Sequence, residues 1–258
     1  MKRFIFFSLT VILIAFAVNN KICYFSLFSL WFIILNVGVF RLRSRIFIDG
    51  VPRKRLSNKV VLTIDDGPHP NLTKDLLDLL DKYNLVATFF VIGRDAQQFP
   101  HLIEEICQRG HTIANHSYRH VPWLNFMLCG GWENELEKAQ KACEPYSMNK
   151  WFRPPYALMS PHLAKALYKN NYQLILFDIR ALDFGNRRVK NLAQRLLKNI
   201  DRGGVILFHG KMPENYSVEL KNELLEELDT FFHALHNKNN VISLGSYLEL
   251  TNAQQKNK

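Results

Sequence analysis

From about residue 56 the chain alternates two hydrophobic periodicities, and this alternation limits its fold more than any other feature. Short β-branched or aromatic runs predict strands at Val60–Ile64, Ala87–Ile92, Thr112–Asn115, Gln173–Ile179, Gly204–Phe208 and Val241–Leu244. Between them, helical spacing predicts helices at Leu72–Tyr83, Gln97–Arg109, Trp132–Ala142, Pro161–Asn170, Val189–Ile200 and Val218–His236. Strands separated by helices of this length predict parallel βαβ units, and therefore an α/β sheet or barrel with its helices outside.

Polar residues interrupt the apolar runs where the predicted strands end, which is where functional residues collect in such folds. The first interruption is Asp65-Asp66-Gly67-Pro68. Taken alone, this sequence is typical of a turn. Two adjacent carboxylates also suit a division of labour, in which one binds a divalent metal and the other takes a proton from water.

A pair of histidines follows the predicted strand at Thr112–Asn115. His116 and His120 are four residues apart, so their imidazoles can converge on one ion from one face of a helical turn. One carboxylate and two histidines form a recurrent catalytic metal set. This set is compatible with zinc and with other first-row divalent ions.

Three further segments carry residues of possible chemical function. In Phe152-Arg153-Pro154-Pro155-Tyr156, two prolines predict a rigid loop that presents Arg153 and the Tyr156 amide. Asp178 and Asp183 follow in the next polar segment. The buried run Gly204–Phe208 ends in His209, which either caps the strand or protonates a leaving group.

Together these five features resemble the NodB-homology polysaccharide deacetylases of carbohydrate esterase family four, over residues 56 to 250. The resemblance implies a distorted (β/α) barrel. It also implies metal-dependent hydrolysis of N-acetyl groups on an amino-sugar glycan, either an envelope polysaccharide such as peptidoglycan or a lipid-linked precursor. The alternative is a catalytically inactive, glycan-binding membrane protein with the same fold.

The resemblance also assigns the metal site and the base. Asp65 is implied to be the catalytic base, and Asp66, His116 and His120 are implied to bind the metal. The implied cofactor is a divalent ion, with zinc expected and other first-row ions as alternatives.

The remaining roles come from the same resemblance. Arg153 is implied to hold the base, and Asp183 is implied to orient Arg153. The amide of Tyr156, which follows Pro155, is implied to stabilise the oxyanion, and His209 is implied to be the general acid.

Three positions near Asp183 depart from the pattern of the family. Phe177 and Phe184 stand where the family commonly has tryptophan, and Arg180 stands where it has an acid. Because Asp183 is kept, we expect the chemistry to be preserved and the rim of the groove to differ.

Taken over the whole chain, the formal charge of +10 and the pI near 9.5 suggest a nucleic-acid partner. The distribution of the cations along the chain changes this interpretation. Residues 1–58 contain nine Lys or Arg and one acid, a net charge of +8, and the remaining residues carry +2. The nearly neutral body argues against nucleic-acid binding, and no protein partner is evident from the sequence.

Two apolar runs, at residues 4–18 and 22–40, predict one or two N-terminal membrane helices. The first run is either part of a signal peptide or one arm of a helical hairpin. We therefore divide the chain into a membrane anchor at 1–45, a basic linker at 46–58, the deacetylase domain at 59–250 and a polar tail at 251–258. Membrane lipid is an expected partner.

The cations that flank the apolar runs bear on location. They favour a domain on the cytoplasmic face of the bacterial inner membrane. The usual envelope substrates of the family favour the opposite face.

Overall fold

The computed structural model describes residue 10 and residues 21–52, 55–126, 131–146, 148–238 and 240–256. Its strands are β1 Val60–Gly67, β2 Ala87–Val91, β3 Thr112–Asn115, β4 Asn149–Phe152, β5 Gln173–Leu174, β6 Ile179–Arg180 and β7 Gly204–His209. They form one sheet in the order β5-β4-β3-β2-β1-β7-β6, and its strand pairs are parallel. The α/β architecture expected from the alternation is confirmed as a parallel half-barrel.

Helices lie between these strands along the chain, except between β5 and β6. The described helices are α1 Lys21–Phe40, α2 Thr73–Lys82, α3 Gly93–Gln98, α4 Pro100–Gln108, α5 Gly131–Ala142, α6 Pro161–Lys169, α7 Leu192–Leu197, α8 Val218–Lys238 and α9 Leu244–Lys256. The predicted helix at Gln97–Arg109 is divided into α3 and α4, because Pro100 has no amide hydrogen to continue a helix.

Strand β1 lies in the middle of the sheet and is buried on both faces. Val60, Leu62 and Ile64 join the large core under the outer helices. Val61 points the other way, into a cluster with Phe90. Thr63 and Asp65 lie on the same face of β1 as Val61. This inner face therefore leads to a carboxylate at the carboxyl end of the sheet.

The strand predictions fail at three places. Residues 173–179 form β5 and β6 at opposite edges of the sheet, because the chain crosses the open side of the half-barrel between them. Strand β4 was missed, since its sequence Asn-Lys-Trp-Phe is half polar. Val241 makes only an isolated bridge with Val60, and Leu244 already begins α9, which extends into the predicted tail and buries Thr251.

The segment predicted as a basic linker packs on the domain beside β5. The amide of Val51 donates to the Leu174 carbonyl at 2.8 Å, and the Leu176 amide donates to the Val51 carbonyl at 2.7 Å. Phe47 is buried in the same region. This segment therefore makes an isolated parallel bridge, between Val51 and Ile175, next to the edge strand β5.

Two of the N-terminal arginines bind a buried carboxylate at the start of β6. Arg43 and Arg55 both form ion pairs with Asp178, whose side chain is 1% exposed, and the Arg55 Nε distance is 2.9 Å. Asp178 also accepts a hydrogen bond from the Val205 amide at 2.9 Å. These two cations therefore hold the N-terminal segment against β6 and β7.

The expected membrane helices receive no support from the fold. Among the described residues, no helix combines the length and apolar character that a bilayer crossing requires. The first apolar run, apart from residue 10, lies outside the described residues. The second run coincides with α1, whose Leu35 and Val39 pack against the core cluster that contains Phe47.

Candidate active site

A bulge at the end of β1 brings two consecutive carboxylates to one site. In a regular strand, Asp65 and Asp66 would point to opposite faces. The register with β2 shifts between Asp65 and Gly67, and Asp66 has a φ of 70°. This left-handed conformation re-aims the Asp66 side chain, as bulges next to functional sites commonly do.

Asp66, His116 and His120 come together in space, as the sequence predicts. The Asp66 Oδ1 atom lies 3.2 Å from His116 Nε2 and 3.0 Å from His120 Nε2. One potential ligand atom from each residue falls within 4.8 Å of the others. We call these three residues the candidate metal cluster.

The tautomer of His116 is fixed by a backbone carbonyl. His116 Nδ1 lies 2.7 Å from the carbonyl oxygen of Arg153. A carbonyl only accepts, so Nδ1 carries the hydrogen and, in the neutral ring, Nε2 presents a lone pair to the cluster.

The donor atoms of the cluster fit a divalent cation. The Oδ1 atom of Asp66 is buried and has no hydrogen-bond partner among the described residues. It therefore faces the lone pair of His116 Nε2 across a short distance. Opposed acceptors are stabilised when a cation lies between them, and one carboxylate with two imidazoles is a common ligand set for catalytic zinc.

The charge of Asp66 agrees with a ligand role. Burial alone would raise the pKa of Asp66, but the neighbouring imidazoles of His116 and His120 outweigh burial and hold this pKa well below its usual range. Asp66 is consequently an anion at neutral pH.

Arg153, at the end of β4, holds the other carboxylate. Its Nη1 atom donates to Asp65 Oδ1 at 2.6 Å and to Thr63 Oγ1 at 2.7 Å. The guanidinium also stacks over Phe90, with 4.1 Å between its carbon and the ring centroid. Thr63 was not among the residues predicted from the sequence, although its position two residues before Asp65 places both on one strand face.

The expectation that Asp183 orients Arg153 is wrong. Asp183 Oδ1 lies 2.5 Å from His209 Nδ1, and its Oδ2 accepts the His209 amide at 3.1 Å. Arg153 Nε and Nη2 have no hydrogen-bond partner within the described ranges. The reason is placement: Asp183 follows β6, which neighbours β7 and His209, whereas Arg153 follows β4 on the other side of β1.

His209 is positioned to carry a proton. Burial lowers its pKa, but the hydrogen bond and charge of Asp183, assisted by Asp66 and Asp65, raise the pKa to about 9. The imidazole is therefore protonated at neutral pH, and its Nε2 lies 4.0 Å from Asp66 Oδ2.

Comparisons with known proteins agree with this geometry. A family described as Polysaccharide deacetylase matches residues 53–175. The chain is 30% identical over 159 residues to a chitooligosaccharide deacetylase of Azorhizobium caulinodans, an alignment that covers 60% of this chain and 75% of that protein. The chain belongs to the polysaccharide deacetylase family. It is thereby classed as a hydrolase.

Two further similarities support this membership of the polysaccharide deacetylases. A peptidoglycan-N-acetylglucosamine deacetylase of Bacillus cereus is 29% identical over 176 residues, covering 67% of this chain, and the chain spans 64% of that protein's length. The structure of a family 4 carbohydrate esterase from Streptomyces lividans, in complex with acetate, has a TM-score of 0.61 and 28% identity. It covers 74% of this chain and 93% of that esterase.

The loop of this polysaccharide deacetylase after Arg153 reaches the edge of the cluster. Pro155 is buried and begins a short 3₁₀ turn, and Tyr156 follows with a φ of 57°. The Tyr156 ring lies 4.8 Å from the His120 ring, between centroids, and remains 59% exposed. Tyr156 thus borders the candidate metal cluster on its solvent side.

Proposed function

We propose that the chain removes N-acetyl groups from an amino-sugar glycan with the help of a divalent cation held by Asp66, His116 and His120. The observation that carries this proposal is the position of two proton-transfer groups beside that cluster. Asp65 and His209 are register partners on the adjacent strands β1 and β7. Both residues lie next to Asp66, since Asp65 precedes it in the chain and His209 Nε2 is 4.0 Å from Asp66 Oδ2.

Each residue has a defined task in amide hydrolysis. A bound divalent cation supplies Lewis acidity, which polarises a carbonyl and lowers the pKa of water. Asp65, fixed through one oxygen by Arg153, accepts the proton of the attacking water. His209 then donates a proton to the departing nitrogen, because an amine is too poor a leaving group to depart as an anion. A positioned acid of this kind typically contributes 10²- to 10⁴-fold.

The Tyr156 amide completes the proposal as the donor for the developing oxyanion. Support comes from the contact of its ring with His120 and from the left-handed backbone at Tyr156. A single donor of this type is worth about 3 kcal/mol of transition-state stabilisation.

We propose an N-acetylglucosamine-containing polymer of the cell envelope as the substrate. The support is that Tyr156, which borders the cluster, and Phe184, which follows Asp183 in the chain, are exposed at 59% and 63%, so sugar rings can stack on them. The relatives named above act on peptidoglycan and chitooligosaccharides by their names. A lipid-linked precursor remains the alternative substrate.

Acetate release from chitooligosaccharides and from peptidoglycan tests the proposed reaction. We expect release by the zinc- or cobalt-loaded full chain, and its loss after chelation. Asp65→Asn should lower the rate by 10²- to 10⁴-fold because the base is lost. Asp66→Asn should lose the activity and the bound metal together.

Asp201→Asn is the matched control, since Asp201 is an exposed carboxylate whose ion-pair partner among the described residues is Lys238 at the surface. It should leave the rate unchanged. Release that survives chelation or the loss of Asp65 would contradict the mechanism. Glycan binding without any release would favour the inactive alternative.

The pH dependence of the rate tests the role of Asp183. His209 must be protonated, so the rate falls as pH rises through the pKa of its imidazole, which Asp183 raises above the ordinary value. Asp183→Asn removes the principal group that raises this pKa, so the alkaline limb should move toward the ordinary value of 6.5. This effect persists when a bound cation neutralises Asp66.

Asp178→Asn provides the control for Asp183→Asn. Both carboxylates accept an amide of β7, Asp178 from Val205 and Asp183 from His209, but at opposite ends of the strand. Asp178→Asn should lower the free energy of unfolding without moving the alkaline limb. An unmoved limb in Asp183→Asn would exclude its action through His209.

We further propose that the N-terminal fifth attaches the domain to the bacterial inner membrane. The support is the apolar sequence of residues 4–18 and 22–40, together with the exposed Phe25 and Phe28 of α1. The cations favour the cytoplasmic face. Arg43 and Arg55, however, are bound to Asp178 and carry less weight in this argument.

Reporters fused to the C-terminus test this location. We expect the fusion in the membrane fraction, and its loss from that fraction when residues 1–40 are deleted. Fluorescence of a cytoplasmic reporter places the domain inside, and activity of a periplasmic phosphatase places it outside. Recovery of the full chain in the soluble fraction without detergent would refute membrane attachment.

A further inference from the structure

We propose that Glu135, on α5, is a positioning residue for the candidate metal cluster. Its buried carboxylate binds the loop that joins His116 to His120, and so sets where the two imidazoles meet. This inference rests on the proposed function and deepens it. Glu135 itself touches neither of these histidines in any described hydrogen bond.

Glu135 receives three donors from two consecutive residues of that loop. Its Oε2 accepts the Tyr118 amide at 3.1 Å and the Arg119 amide at 2.8 Å. Its Oε1 accepts from Arg119 Nε at 2.6 Å. The Glu135 side chain is 1% exposed, so these donors replace the water that a buried carboxylate would otherwise need.

The carbonyl groups of the same loop accept amides from the start of α3. The Gly93 amide donates to the Ser117 carbonyl, and the Arg94 amide donates to the Tyr118 carbonyl, both at 2.9 Å. A Cβ on Gly93 would lie 2.8 Å from Tyr118 Cδ2 and 2.6 Å from the Cα of Ala139 on α5, so glycine lets α3 approach both the loop and α5. The loop is therefore held by α3 as well as by α5.

The loop needs this external support because its backbone is strained. Ser117 and His120 have φ values of 69° and 55°, a region that residues other than glycine adopt at a cost. Asn115 adds a second tie to α5, since its Nδ2 donates to the Leu136 carbonyl at 3.1 Å and its Oδ1 accepts the Ser117 amide at 2.8 Å.

The consequence is a cluster whose shape exists before an ion binds. Without the Glu135 carboxylate, two amides of the loop lose their acceptor, and metal binding must then order the loop. Residues that orient metal ligands in this way typically change metal affinity by 10- to 100-fold when replaced.

Direct metal titration of Glu135→Gln tests the inference. Glutamine keeps the size of the side chain but has only one acceptor oxygen. Its NH2 group is itself a donor and would face the donor groups of the loop. We expect the dissociation constants for Zn²⁺ and Co²⁺, measured by calorimetry on the metal-free full chain, to rise by about 10- to 100-fold. Excess metal should restore much of the lost acetate release.

Glu227→Gln is the matched control, because Glu227 also accepts two backbone amides, those of Asn191 and Ala193, at 2.8 Å each. These amides lie at the start of α7, away from the cluster. Glu227→Gln should lower the free energy of unfolding and leave the metal affinity unchanged.

The outcomes separate this inference from the proposed function. Equal metal affinity in Glu135→Gln and the parent overturns the positioning role alone. Failure of the parent to bind any divalent ion overturns the proposed function and this inference with it.

Hydrogen exchange of the metal-free, unsubstituted chain tests the positioning role of Glu135 even if Glu135→Gln does not fold. We expect slow exchange at the amides of Tyr118 and Arg119, because Glu135 protects them before any ion binds. Exchange at the rate of an unprotected amide would overturn the inference.

Discussion

The candidate site depends on one residue that serves two neighbours at once. The backbone carbonyl of Arg153 fixes the hydrogen of His116 on Nδ1, and the guanidinium of the same residue binds Asp65. His116, a residue of the candidate metal cluster, and Asp65 are thereby tied to one point at the end of β4. Any shift of this strand would move both side chains together.

Burying the Arg153–Asp65 pair is costly unless its polar atoms find partners, and Arg153 Nε and Nη2 have none within the described residues. Thr63 accepts a second hydrogen bond from Arg153 Nη1, and the ring of Phe90 covers the guanidinium. Asp65 in turn is a register partner of His209, whose ring is held by Asp183. Asp65 and His209 thus lie on the adjacent strands β1 and β7, and their charged partners Arg153 and Asp183 come from opposite sides of β1.

Part of this site follows from the sequence, because residues close in the chain stay close in the fold. His116 and His120 meet as predicted and Asp66 joins them, but the chain between the two histidines is a loop with positive φ at Ser117 and His120, not the helical turn expected from their spacing. What the sequence does not contain is the order of the strands. The partner of Asp183 depends on β6 lying beside β7, which no local pattern reveals, and the expected contact with Arg153 is therefore wrong.

Contacts between distant segments were missed for the same reason. From the sequence alone, Glu135 is an ordinary charged residue of an amphipathic helix. Its burial becomes visible only in the packing of α5 against the loop that joins His116 to His120. The cations of residues 1–58 likewise suggest a membrane anchor in the sequence, whereas two of them, Arg43 and Arg55, bind Asp178 across more than 120 residues of chain. Ion pairs between residues so far apart in the chain produce no periodic pattern in the sequence.

The tautomer of His116 in the metal-free protein tests the central claim most directly. Nitrogen-15 shifts of the imidazole, recorded at mildly alkaline pH, should show hydrogen on Nδ1 and a bare Nε2. The Nε2 shift should then move when one equivalent of Zn²⁺ is added. Hydrogen on Nε2, or shifts that do not respond to the ion, would contradict the account.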